Sequence, residues 1–322
     1  MTTEPALDPR AVPDVTDLRL VVAVLTYRRP DELAEVLPVL AAQAAGSRAR
    51  ADVLVVDNDP DGGGAEVVRA TRLPGVRYVH EPEPGIAAAR NRALAEAADA
   101  DLLVFVDDDE RPTPGWLELL LATYERTGAA GIVGPVVSEF VGTPHPWVAA
   151  GRFFDRRRLP TGTPVEVAAT NNLLLDLRQV RAAGVTFDLR YGLSGGSDSL
   201  FTLRLTRAGR RLVWCDEAVV VDRVPAQRST PRWVLARAFR LGNGWSRVRL
   251  ELTTSPVDRA ATRARLAGAG SIRLAGGAAR WVAGAVLRRA DLRARGARTL
   301  ARGAGLLTGA AGFVYAEYRR RM

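Results

Sequence analysis

The sequence predicts an α/β fold: a doubly wound domain with a mostly parallel central sheet flanked by helices, followed by a C-terminal helical tail. Three observations carry that expectation. Residues 18–25 (LRLVVAVL), 52–56 (DVLVV) and 101–106 (DLLVFV) are short apolar runs, as required of strands buried on both faces of a parallel sheet. Helical patterns separate these runs, and strand–helix alternation points to parallel pairing. Beyond Pro231 the strand signals stop and the chain reads as helix.

Each element follows in order. The first strand ends in Thr26-Tyr27. Arg29-Pro30-Asp31-Glu32 then opens an amphipathic helix, with Pro in the first turn and acids near the positive end. The second strand ends at Asp57-Asn58; a Gly-rich turn, a short helix and a strand at 76–79 come next. Residues 85–98 form an Ala-rich helix, and the strand 101–106 runs into Asp107-Asp108-Asp109-Glu110. After about residue 135 Pro and aromatic residues punctuate a loop-rich stretch through Pro164, with a short helix near Trp147. Residues 165–175 read as a strand carrying Asn171 and Asn172, and 194–198 as a turn into a helix at 199–208. Short strands follow at 212–213 and 218–221. The tail reads as helices broken by Gly pairs and at 253–256. The chain thus divides into a flexible N-terminus (1–17), two halves of one domain (18–135 and 136–230) and a basic helical tail (231–322).

The chain has 322 residues, a net charge of +9 and 45 basic residues, every one of them Arg. A pI near 10.7 suggests nucleic acid at first sight. The absence of Lys, with the abundance of Ala and Gly, points instead to codon usage. The charge is also unevenly spread. Residues 1–222 hold 24 Arg against 32 acids, whereas residues 223–322 hold 21 Arg against 4. A basic rear surface fits anionic lipid at least as well as nucleic acid. The single cysteine, Cys215, excludes an intramolecular disulfide and any cluster of several thiolates, and it reads as a small core residue. The two histidines, His80 and His145, are far apart, so any metal must be held mainly by oxygen. Residues 1–17 carry Pro and acids without an apolar run, so no signal peptide is expected. No uncharged apolar run reaches the ~20 residues of a spanning helix, and a cytosolic body is expected.

In open α/β sheets ligands bind at the carboxyl ends of strands. Thr26-Tyr27, Asp57-Asn58 and the 107–110 cluster all fall there. Alternate residues of an extended segment share a face, so Asp107 and Asp109 are expected to point the same way. Two such carboxylates make a hard-oxygen site for Mn²⁺ or Mg²⁺, completed by substrate phosphates. The alternative is a solvated acidic turn.

These segments, with residues 84–91 (PGIAAARN), Trp116-Leu117 after Pro112, and Gly195-Gly196-Ser197-Asp198 before a helix, resemble the family-two glycosyltransferases in order and spacing over about residues 18–250. That resemblance implies a Rossmann-like GT-A domain: residues 18–135 bind a nucleotide sugar and 136–230 carry the acceptor and catalytic half. It implies that Thr26, Tyr27 and Asp57 contact the nucleoside, that Arg90 and Asn91 lie beside the nucleotide, and that Asp109 holds the metal while Asp107 is shared between ribose and metal. Gly85, opening the helix, would let substrate approach the backbone. Asp198 resembles the catalytic base of an inverting displacement, although Ser197 stands where the family usually has Glu. Asn171 and Asn172 lie where acceptor contacts occur, and Arg228 follows a segment that closes near the phosphates. Each has a structural alternative: Asp57 and the Asn pair as strand-end turn residues, Arg90 as an exposed helix residue, Asp198 as a helix N-cap.

The implied activity is transfer of a sugar from a nucleoside-diphosphate sugar, with a lean toward UDP, to a glycan or lipid-linked hydroxyl, assisted by a divalent metal. The tail interleaves Arg with Trp233, Phe239, Trp245, Trp281, Phe313 and Tyr315, the pattern of helices resting on an anionic membrane, here the cytoplasmic face. Packing of the tail on the catalytic domain is the alternative. Rival functions are a nucleotide-binding regulator without catalysis, which the presence of Asp107, Asp109 and Asp198 argues against, and a nucleic-acid-binding protein, suggested by pI alone. A dinucleotide oxidoreductase is excluded because Thr-Tyr-Arg-Arg-Pro after the first strand cannot form a G-x-G-x-x-G turn.

Overall fold

The computed structural model describes residues 14–315. Of the N-terminal segment expected to be flexible, residues 1–13 lie outside the described residues, while Val15–Asp17 form a 3-10 turn with Val15 wholly buried. The first half alternates as its sequence indicates. β1 (Arg19–Thr26), α1 (Pro30–Ala45), β2 (Arg50–Asp57), α2 (Gly64–Thr71), β3 (Val76–His80), α3 (Ile86–Glu96) and β4 (Leu102–Asp107) come in turn. Then follow β5 (Glu110–Pro112), α4 (Trp116–Thr127), β6 (Gly131–Val133), β7 (Val136–Phe140) and α5 (Pro146–Gly151). The second half continues with β8 (Pro164–Val165), β9 (Asn172–Asp176), α6 (Leu177–Ala183), α7 (Ser197–Arg207), β10 (Leu212–Trp214) and β11 (Val220–Val224). Three helices form the tail: α8 (Pro231–Glu251), α9 (Pro256–Val286) and α10 (Ala290–Ala310).

Eight strands make one sheet in the order β3-β2-β1-β4-β9-β6-β10-β8. The first four are mutually parallel, β9 runs antiparallel to both β4 and β6, and β8 runs antiparallel to β10. Period-two alternation sends side chains of each central strand into two separate cores. Val22, Val24, Val104 and Val106 meet Leu33, Leu37 and Trp116 on one face. Ala23, Leu25, Leu103 and Phe105 meet Ala89, Leu177 and Phe201 on the other. Each large side chain buried in this way contributes roughly 1.5–3 kcal/mol. The expected strand at 165–175 is in fact two short ones, β8 and β9, with Asn171 in the loop just before β9.

A second sheet, β5-β11-β7, stands beside the strand ends. Its β11 pairs antiparallel with β5, setting Asp222 opposite Glu110, and parallel with β7.

The tail differs from expectation at its glycines. Gly276-Gly277 lies inside α9 and Gly242 inside α8, and neither breaks its helix. They remain helical because tertiary contact overrides the ~1 kcal/mol propensity cost of each Gly. A Cβ on Gly277 would meet Leu300 N at 2.8 Å and Gly296 O at 3.0 Å; one on Gly242 would meet Arg302 O at 2.3 Å. The glycines are therefore the sites where α9 and α8 approach α10 backbone to backbone. Several tail aromatics are also spent internally. Trp233 stacks on Phe154 at 5.9 Å, Phe239 packs edge-on to Tyr315 at 5.7 Å, and Trp245 lies against Leu250 and Leu266. Among the described residues no helix is long and apolar enough to cross a membrane.

This packing gives one substitution opposite signs at two positions. Ala at Gly305 would set its methyl 2.0 Å from the Phe239 carbonyl oxygen, whereas at Gly268 it meets nothing within 4 Å. Urea unfolding should show Gly268→Ala stabilised by up to ~1 kcal/mol through helix propensity. Gly305→Ala should lose about 1–3 kcal/mol to overpacking.

Candidate active site

The order of strands reverses between β1 and β4: from β1 the chain winds outward through β2 and β3, then returns to the other side of β1. Crevices at such points bind ligands. Here Thr26 pairs in register with Asp57, and Leu25 with Asp107, so three strand ends form one floor. An open cavity of about 500 Å³ lies at the ends of β1 and β2, lined among others by Thr26, Arg28, Asp57, Asp59, Asp61 and Gly64.

Asp57 is fully buried. Its Oδ1 accepts from Asp59 N at 2.9 Å, and its Oδ2 accepts from Gly64 N at 2.8 Å and from the Tyr78 hydroxyl at 3.1 Å. The carboxylate thus holds the entry into α2 closed at the cavity wall. Burial and the neighbouring Asp57 charge push the Tyr78 phenol up to about 12, which keeps it a donor. Tyr27 is 37% exposed, with the Arg28 guanidinium 5.5 Å from its ring centre.

The acidic cluster departs from simple alternation. Strand β4 ends at Asp107 and the chain turns through 108–109, so Asp108 and Asp109 are held together. One nitrogen of Arg29 reaches Asp108 at 2.7 Å and Asp109 at 2.9 Å. Asp108 also accepts from the Thr26 hydroxyl at 2.9 Å. Arg228, carried by the 3-10 turn Ala226–Arg228 after β11, reaches Asp109 at 2.8 Å from the other side. Glu110 is buried and accepts from Asn171 Nδ2 at 2.5 Å. Glu110 belongs to the acidic cluster that the sequence marks, whereas Arg29 has no site role in the sequence reading. Arg29 was read as the residue opening α1, and only the apposition of β1 and β4 reveals its second role.

Helix α3 joins the cluster to the segment bearing Asp198. Asn58 donates to the carbonyls of Glu81 and Glu83 and accepts from Gly85 N, fixing the approach to the helix. Gly85 has φ +118°, and a Cβ there would stand 3.0–3.2 Å from the Gly192 backbone. The chain's own loop makes a close approach at Gly85, with Ile86 N donating to Gly192 O. Asn91 uses both ends of its amide on the Phe187 backbone, at 2.8 and 2.9 Å. Arg90 is buried, lies 5.5 Å from the Phe187 ring centre, and donates to Ser197 Oγ at 2.7 Å. Its charge also acts on Asp107. Helix α7 starts at Ser197, two residues earlier than expected, with Gly196 as its cap residue. Asp198 therefore lies in the first turn rather than at the cap. It is half-buried, and Ser199 N donates to its Oδ1 at 2.7 Å. Asn172 is wholly buried: it accepts from the Trp116 indole and donates to the carbonyls of Pro135 and Ala218, so its amide locks β9 into the core.

The pattern of glycosyl transferase family 2 matches residues 21–175. The chain is 36% identical over 237 residues to the succinoglycan biosynthesis protein ExoM of Rhizobium meliloti, covering 73% of this chain and 76% of that one. The chain belongs to glycosyl transferase family 2. Its fold is shared with a mannosyltransferase from Pyrobaculum calidifontis, solved with GDP-Man and Mn²⁺, at a TM-score of 0.58 and 20% identity over 93% of this chain and 89% of that one. It is also shared with S. aureus TarS, at a TM-score of 0.50 and 14% identity over 88% and 91%. The enzyme is thus a glycosyltransferase with the expected GT-A architecture and a C-terminal helical addition.

Burial raises the Asp107 carboxyl to about 7, reinforced by Asp109 and opposed by Arg90. Burial likewise raises Asp108 to about 6 against the pull of Arg29, and lifts Glu110 well above its ordinary value. Carboxyls raised on folding bind protons in the folded state that the unfolded chain releases near pH 4. Their stabilising share is complete below that pH and is lost as pH rises through about 6 to 7. In EDTA the Tm of the transferase should therefore fall from pH 5 to pH 8, and Asp107→Asn should flatten part of the slope. A Tm that climbs over this range would contradict the assignment.

Proposed function

We propose that this glycosyltransferase moves a sugar from a nucleoside-diphosphate sugar, with UDP-sugars first among the candidates, to a hydroxyl of a glycan or lipid-linked acceptor by single displacement with inversion. The reading rests on adjacent strand ends that carry Thr26, Asp57 and Asp107, on an open cavity lined by the first two, and on the hydrogen bond from Arg90 to Ser197 that ties α3 to the first turn of α7, which bears Asp198. Asp57, Asp59 and Asp61 give the cavity wall an acceptor-rich lining, which favours a base that presents an imide N–H. Thr26 and Tyr27 would border the nucleoside.

Asp109 and Asp107 fit a divalent cation, Mn²⁺ or Mg²⁺. Both are hard-oxygen donors at the end of β4, and the Arg29 and Arg228 guanidinium groups now paired with Asp109 stand where a cation would have to displace them. Among the described residues no three His, Cys, Asp or Glu side chains form a closed cage, so phosphate oxygens would complete the ligand set. When bound, such an ion neutralises the diphosphate and stabilises the charge on the departing nucleoside diphosphate. Arg228 and Arg29, displaced from Asp109, would be placed to pair with phosphate.

Asp198 would accept the proton of the acceptor hydroxyl as that oxygen attacks the anomeric carbon, forming the new glycosidic bond while the bond to the diphosphate breaks. Among the described residues nothing donates to its Oδ2. Arg90 and Asn91 hold the α7 segment against α3 beside the nucleotide, and Asn171, through Glu110, would border the acceptor. The likeness to a protein of succinoglycan biosynthesis supports an exopolysaccharide or cell-wall acceptor. The tail, with 21 Arg against 4 acids in residues 223–322, would attach the enzyme peripherally to the cytoplasmic face of the membrane rather than to nucleic acid.

Calorimetry should show UDP binding with Mn²⁺ far tighter than in EDTA; equal affinity would remove the metal assignment. Asp198→Asn should fold and bind donor normally while turnover drops by ~10²–10⁴. Near-normal turnover in that variant would move the base elsewhere.

A further inference from the structure

We infer that the outward face of α9 is the surface that lies in the lipid interface, with its apolar side chains among the acyl chains and its arginines at lipid phosphate. The inference rests on the peripheral attachment proposed above and assigns it to one face of one helix. Helix α9 has two opposite faces. Leu266, Gly270, Gly277 and Gly284 are buried, the glycines against α10. Half a turn away, steps of three and four residues from Val257 to Val286 meet only Ala, Gly, Val and Ile. This row includes Val257, Ala261, Gly268, Ile272, Val282 and Val286, every one exposed. The row runs for ~43 Å at the helical rise. Ile272 is 73% exposed, Val286 76% and Val257 77%. A soluble surface helix puts polar residues on the side away from its packing partner; α9 puts apolar ones there.

Charge selects the occupant. Residues 256–289 hold seven arginines and a single acid, Asp258. Arg265, Arg273 and Arg280 follow one flank of the row, and Arg288 and Arg289 close its end beyond Leu287. A second copy of this helix would bring like charge against like. A nucleic acid would pair the guanidinium groups and leave the apolar row in water. An anionic bilayer satisfies both, because apolar side chains enter the acyl boundary while Arg stays at phosphate depth.

The test uses the full chain and vesicles of phosphatidylcholine with and without phosphatidylglycerol. Wild type should sediment with the anionic vesicles and retain part of that binding in high salt, which screens the arginine share alone. The triple variant Ile272→Gln, Val282→Gln, Val286→Gln leaves charge unchanged and replaces β-branched residues by a better helix former. It should keep its Tm and UDP binding, lose about tenfold or more in vesicle affinity, and lose the salt-resistant part altogether. If wild type binds and the triple variant binds equally well, attachment stands but the α9 face is overturned. Should wild type ignore anionic vesicles at low salt, the attachment itself fails, and the α9 inference with it. A wild type that self-associates while the triple variant is monomeric, with neither sedimenting, overturns the lipid inference and marks the face as a contact between copies.

Discussion

The rest of the site depends on one constraint: four consecutive acidic residues are held at the end of a buried strand, where like charges cannot all remain ionised unaided. Sheet geometry puts them there, since β4 is fixed between β1 and β9 along its length. Each nearby cation then has a defined place. Arg29 at the start of α1 clasps two carboxylates, Arg228 arrives at the end of β11, and Arg90 comes from α3. Burial raises the carboxyls of Asp107 and Glu110, so both take up a proton more readily than an exposed carboxylate does. A ligand-free site of this kind is compensated by parts that can be exchanged, and a cation with a diphosphate brings matching charges of its own.

The second support is aromatic. Phe187 stacks on Phe201 of α7 with ring centres 4.1 Å apart and meets Phe105 of β4 edge-on at 5.8 Å. The same residue has its backbone held by Asn91 and its ring beside Arg90. A rigid path thus runs from the floor of the cleft to the first turn of α7. Beyond it, Val248 of α8 packs with Tyr191, Leu200 and Leu203, so the first tail helix supports the same segment.

Much of this was legible in the sequence because the parallel strands are short apolar runs with polar ends. Alternation plus the topology of open sheets brings Thr26, Asp57 and Asp107 together without any coordinate. What was not legible depended on long-range apposition. That Asn91 binds the chain rather than standing open, that Gly85 accommodates Gly192, and that Arg29 serves β4 all require knowing which loop lies against which helix. Asn172 looked equivalent to Asn171 because they are adjacent, yet one residue of strand periodicity turns the first amide to Glu110 and the second into the core. In the tail, helix breaks were inferred from Gly pairs because propensity is local, and tertiary contact reversed that inference. Interleaved aromatics likewise looked alike on paper, although Trp233 is taken up by Phe154 whereas Trp281 remains 42% exposed.

The glycines of the tail also act as a ruler. Gly270, Gly277 and Gly284 on α9 recur every seven residues, as do Gly296 and Gly303 on α10, and a Cβ at any of them would fall within 3.1 Å of the partner helix. Sliding one helix past the other by a single turn would drive Leu or Arg side chains into slots that hold no side chain at all. The hairpin therefore resists a one-turn slip, and the reach from the support beneath α7 to the far end of α9 is set by where these glycines stand in the chain.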